Sequence, residues 1–191
     1  MTQLKTLPAA TPQGLAVLDP ANAEDEDSIV VTQATAAKYG RKSIANLGKV
    51  CGQIPLGMPP EAKERAEGLP GLKDMYGCVP REFVPLSNEG GPVTVKALLD
   101  GQIQAADVFT TSLLIPKNHL VVIDDPSSNF AAQQVVPLVR ADRVSGKAKN
   151  VLDKVQAALT TDDLLKLVNR GAKCRDSVIA KWRSERPIGD L

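Results

Sequence analysis

The chain has 191 residues, with 23 Lys and Arg against 22 Asp and Glu and a formal net charge of +1, so it carries no field that would hold nucleic acid or an anionic membrane. Its 43% hydrophobic content suffices for one ordinary domain, or a small domain with part of another. No run approaches the roughly 20 apolar residues that span a bilayer, and the start "MTQLKTLPAATPQG" lacks the basic segment and long apolar stretch of a secretory leader; on these grounds alone the chain reads as cytoplasmic.

Residues 1–27 are rich in Pro, Ala, Asp and Glu and read as a lead-in with one short strand in "GLAVLDP" (14–20). A regular alternation follows. "SIVVT" (28–32) is a strand, "QATAAKYG" (33–40) a short helix closed by Gly40, and "SIANLGKV" (43–50) a second helix with Ser43 as N-cap. "GQIPLGMP" (52–59) is strand-like, and "PPEAKERAEG" opens a helix on proline, whose missing N–H costs little there. A helical turn at 69–77, a strand at 81–86, a helix at 92–101 ending on Gly101 and a strand at 105–111 continue the pattern. "DVFTTSLLIPKNHLVVIDDP" (107–126) reads as two apolar strand-like runs around a Pro-Lys-Asn turn. Strands separated by single helices predict an α/β fold with a largely parallel sheet.

Past "QQVVPLVRAD" (133–142) the character changes, and residues 146–186 read as helix throughout. Val151, Leu152, Val155, Ala158 and Leu159 share one face at helical spacing, while Thr160 and Asp163 form a capping pair that restarts the helix. Trp182 reads as a packing residue, and the interspersed charges as a solvated face.

Little here suggests catalysis. The sole histidine, His119, heads an apolar run, there is no Cys-x-x-Cys, and no glycine spacing cradles a phosphate, so no metal, cofactor or enzyme activity is expected. Asp124–Asp125 and Asp162–Asp163 suit a turn and a helix start. Cys51, Cys78 and Cys174 admit two readings, three free thiols or one Cys51–Cys78 disulfide with Cys174 left over. Binding-type residues instead gather beside strands: the acidic run before "SIVVT", the "PPEAKER" turn, "FTTS" after "AADV", and "NFAAQQ" before "VVPLV". In open α/β sheets such loops form ligand crevices. Arg65 there offers a planar fork for a carboxylate; pairing with Glu61 at i−4 on a helix fits its spacing equally.

In this order, the Pro-Pro-Glu with Arg four residues after the Glu, "GLPGL", the Gly-Pro-hydroxyl turn in "GGPVT" and the Asp-x-Phe-Thr-Thr of "DVFTT" resemble the substrate-binding proteins of glycine betaine/choline/carnitine-type ABC transporters, over roughly residues 14–165. The resemblance implies a type II periplasmic-binding-protein ("Venus flytrap") fold: residues 1–27 a lead-in from the first lobe, 28–122 a complete second α/β lobe, and 123–191 the returning segment of the first with its C-terminal helices. It implies an osmolyte or quaternary amine held between the lobes, an arginine on its carboxylate and aromatic rings around its cation. Position by position, Arg65 falls on the carboxylate-binding arginine and Phe109 on a cage ring; Asp27 and Gln133 fall where other cage residues stand. As neither is aromatic, Asp27 is expected to hold a cation, and Gln133 with Thr110 and Thr111 to hydrogen-bond a more polar solute, such as an amine or amino-acid-like compound. The implied partners are the solute, an ABC permease and an ATPase, with no nucleic acid; an incomplete first lobe further implies self-association or a swapped dimer. The resemblance places the protein outside the cytoplasmic membrane, which fits the Cys51–Cys78 disulfide. The alternatives are an effector-sensing flytrap domain of a regulator, or a short form that does not bind solute alone.

Overall fold

A computed structural model describes residues 3–39, 42–87, 90–131, 133–170 and 175–185; Gly40 and Cys174 lie outside them. In chain order the elements are α1 (Gln3–Ala10), β1 (Leu15–Val17), β2 (Asp27–Val31), α2 (Gln33–Tyr39), α3 (Ile44–Gly48), β3 (Pro55–Met58), α4 (Leu69–Tyr76), β4 (Glu82–Pro85), α5 (Pro92–Leu99), β5 (Ala105–Phe109), α6 (Leu114–Lys117), β6 (Val121–Val122), β7 (Leu138–Arg140), α7 (Gly146–Ala158), α8 (Thr161–Arg170) and α9 (Arg175–Ser184). The chain divides into two units: Met1–Asp25 with Ala132–Leu191, and Glu26–Ala131.

The second unit, 26–131, is built on a five-stranded sheet in the order β4-β3-β5-β2-β6. Its central strands are buried on both faces, which is why "SIVV" reads as an unbroken apolar run and not as an alternation. Ile29, Val31, Leu56, Met58 and Ala105 pack on one face with Ile44, Leu47 and Leu72 from α3 and α4. Val30, Ala106 and Val108 face the other way, against Val95 and Leu98 of α5. Each such side chain, once buried, contributes about 1.5–3 kcal/mol. Cys51 and Cys78 are joined by a disulfide with Cα atoms 5.2 Å apart, closing a separation of 27 residues, a constraint worth roughly 3–4 kcal/mol in the chain-entropy model. Ser43 caps α3 by accepting from Asn46 N–H, and Gly77 ends α4 in the left-handed conformation at φ 63°.

The other unit pairs β1 with β7, antiparallel, with Leu15 opposite Arg140. Its small core joins Ala21, Ala23 and Leu159 to Val135, Leu164, Leu167 and Trp182. At the start of α8, Thr160 Oγ1 accepts from Asp163 N–H at 3.2 Å while the Asp163 carboxylate accepts from Thr160 N–H at 3.1 Å, a reciprocal cap that satisfies two otherwise orphaned donors.

Several expectations change. The sheet is mixed: β3 runs parallel to β4 and β5, but β2 runs antiparallel to β5 and β6. The two expected helices, α2 and α3, separate β2 from β3, and across them the chain returns in the opposite direction, a reversal that strand and helix patterns do not encode. "SLLI" does not extend β5; Leu114–Lys117 turns into α6, closed by Asn118 N–H on Leu114 carbonyl at 3.1 Å. The "PPEAKER" segment forms only a 3-10 turn, Pro60–Lys63. Helix α1 forms in the expected lead-in despite Pro8, with Thr11 Oγ1 donating to Leu7 carbonyl at 2.8 Å. Among the described residues of the 146–186 stretch stand helices α7, α8 and α9, α7 and α8 parted at the expected Thr160 cap. Residues 123–131, expected to belong to the returning segment, sit in the 26–131 unit: Asp125 accepts from Tyr76 hydroxyl and, at 2.8 Å, from Phe130 N–H, and Asn129 Nδ2 donates to Glu67 carbonyl at 2.6 Å.

Candidate functional site

Because β2 opposes β3 and β5, the end of the sheet where β3 and β5 finish is the end where β2 begins. Register sets Asp27 directly opposite Phe109 and Ile29 opposite Asp107. The Pro59–Gly68 turn leaves the same end of β3 and delivers Arg65. Three residues picked out in the sequence, Asp27, Arg65 and Phe109, therefore meet at one sheet end. Arg65 Nη2 lies 3.5 Å from Asp27 Oδ2 and 3.2 Å from Glu67 Oε2. The expected Glu61 pairing at i−4 is replaced by these contacts, because Arg65 lies past the 3-10 turn and not on a helix. The guanidinium is held charged still more firmly than usual, mainly by its hydrogen bond to Glu67, with Asp27 adding to it.

Thr110 follows Phe109, and its backbone and hydroxyl clamp the entry to β2: Thr110 N–H donates to Glu26 carbonyl at 2.9 Å, and its Oγ1 accepts from Glu26 N–H at 3.0 Å. Thr110 thus fixes the strand start that carries Asp27. Phe109 is half-buried and Thr111 buried. Gln133 lies in the other unit, where its carbonyl accepts from Asp25 N–H at 3.1 Å. A cavity of about 400 Å³ lined by Gln53, Arg81 and Gln104 opens at the opposite end of the sheet, since those residues precede β3, β4 and β5.

The sequence reading passed over Asp107. It lies on the same face of β5 as Phe109 and is only 6% exposed. Burial first, then the nearby Asp27 charge, push its carboxyl up to about 7, with Arg65 pulling the other way. The signal was available: an aspartate between Ala106 and Val108 in a strand buried on both faces is a charge where the core leaves almost none. Among the described residues, no group of three or more His, Cys, Asp or Glu could hold a metal ion, and no helix is long and apolar enough to cross a membrane. The arrangement is suited to binding a charged solute: one exposed guanidinium, two buried carboxylates, one ring, and hydroxyls at a strand end.

These features define a solute-binding protein of the type II periplasmic-binding class. The family model described as the substrate-binding domain of ABC-type glycine betaine transport system matches residues 2–185, and the chain belongs to that family. It is a solute-binding component of an ABC importer, a class that works with permease and ATPase subunits. The fold is similar to a crystal structure named for a glycine betaine/carnitine/choline ABC transporter (TM-score 0.76, 19% identity, covering 94% of this chain and 67% of that one). It is also similar to apo YehZ from Escherichia coli (0.63, 22%, covering 96% and 69%), and to lactococcal OpuAC in its closed form with glycine betaine (0.59, 18%, covering 90% and 67%). The chain thus spans about two-thirds of the length of these proteins.

Proposed function

We propose that this protein binds a small cationic or zwitterionic osmolyte of the glycine betaine and choline kind and presents it for import outside the cytoplasmic membrane. The observation that carries this reading is the meeting of Arg65 with Asp27 and Phe109 at one end of the sheet. Arg65 takes a ligand carboxylate through its planar fork, and Asp27 with the Phe109 ring faces the positive head. Thr111 adds a hydroxyl. The Cys51–Cys78 disulfide supports an oxidising location.

A thermal-shift screen with glycine betaine, choline, carnitine, dimethylglycine and polyamines tests the reading. At least one should raise the melting temperature, since a ligand at about 100 times its Kd stabilises by about 2.7 kcal/mol. No shift with any of them would overturn it.

A further inference from the structure

Asp107 is 6% exposed, and its Oδ1 has no hydrogen-bond partner among the described residues. A buried acceptor without a donor is the costly arrangement, more so for a charged one. Register makes Asp107 and Asp27 diagonal neighbours on one sheet face, with Cα atoms about 7–8 Å apart. The groups facing Asp107 are Asp27 and the Ser28 backbone N–H from β2, and Arg65 and Glu61 from the turn after β3. Asp107 is thus set against two further carboxylates and one guanidinium.

Arg65 is also free to exchange partners. Its contact with Asp27, at 3.5 Å, is longer than the about 2.7–2.9 Å of a charge-assisted bond, and its side chain is 42% exposed. A ligand carboxylate that draws Arg65 away leaves Asp107 to a ligand cation. We propose that Asp107, together with Asp27, forms the subsite for the solute's cationic head and selects a head that keeps an N–H, a primary to tertiary ammonium, over a fully methylated one. An N–H supplies the donor that Asp107 Oδ1 lacks. A quaternary head has none and depends on several ring faces, whereas Phe109 is the one ring among the residues gathered at this end. The inference rests on the solute-binding reading above and moves its ligand class from fully methylated heads to amines that keep an N–H.

Isothermal titration of the full chain with dimethylglycine and with glycine betaine, which differ by one methyl in place of an N–H, decides it. Wild type should bind dimethylglycine at least about tenfold more tightly, because a site built around a donor discriminates strongly against the analogue lacking it; Asp107→Leu, which removes the acceptor, should bring the ratio close to one. The second arm needs no variant. In wild type the ratio should grow from about pH 5.5 to about pH 8.5 as Asp107 loses its proton. Glycine betaine binding as tightly as dimethylglycine, a ratio unchanged in Asp107→Leu or with pH, or binding of neither compound would each overturn the inference. The wider solute panel decides the solute-binding reading separately, so the two can fail independently.

Discussion

At the scale of single residues, Asp107 stores a pH dependence in the fold. Its carboxyl titrates near 7 in the folded chain against about 3.9 unfolded. The folded state therefore holds the extra proton, and the stability this gives is fully present below about pH 4 and lost as pH rises through about 7. Chemical denaturation at a series of pH values should show unfolding free energy falling at up to about 1.4 kcal/mol per pH unit from this group, and Asp107→Asn should remove that slope. A slope identical in wild type and variant would contradict the assignment. Arg65 shows how far residue-level reading reaches. Its fork and its place beside a strand were legible, but its partners were not: spacing offers Glu61, whereas the fold brings Asp27 from 38 positions away in the chain and Glu67 from the same turn.

At the scale of elements, the turn that delivers Arg65 is shaped by a close backbone approach. A Cβ on Gly68 would run into the carbonyl of Ala62, and Gly68 N–H donates to Arg65 carbonyl at 2.9 Å. Gly68→Ala should destabilise the chain by about 1–3 kcal/mol and weaken solute binding together with it, measured by denaturation and titration of the same preparation; a variant as stable and as tight as wild type would contradict the geometry. Short elements with local signals were legible: the Ser43 and Thr160 caps, Gly101 after α5, and the apolar runs of β2 and β5. Strand direction was not. Asp27 falls at the same sheet end as Arg65 and Phe109 only because β2 runs against β5, and direction is fixed by pairing between strands distant in sequence, which no local pattern carries. Helix α1 escaped for the opposite reason: Pro8 argues against a helix, and the residues before it show no apolar period.

At the scale of the whole molecule, the family was legible because its motifs cluster on this sheet end, in the turn after β3 and in the strand that ends at Phe109. The extent of each unit was less so. Residues 123–131 read like a path out of the lobe, yet Tyr76 bonds Asp125, Asn129 bonds the Glu67 carbonyl, and Phe130 shares the apolar core that holds Leu72, the two hydrogen bonds joining residues 49 and 62 positions apart in the chain. The central claim is that a solute binds at the sheet end where Arg65 meets Asp27 and Asp107, with Arg65 taking its carboxylate. Titration of wild type and Arg65→Ala with a carboxylated ligand from the panel and with one lacking a carboxylate tests this most directly. The account predicts that the variant loses the carboxylated ligand and keeps the other; equal loss of both, or no loss of either, would contradict it.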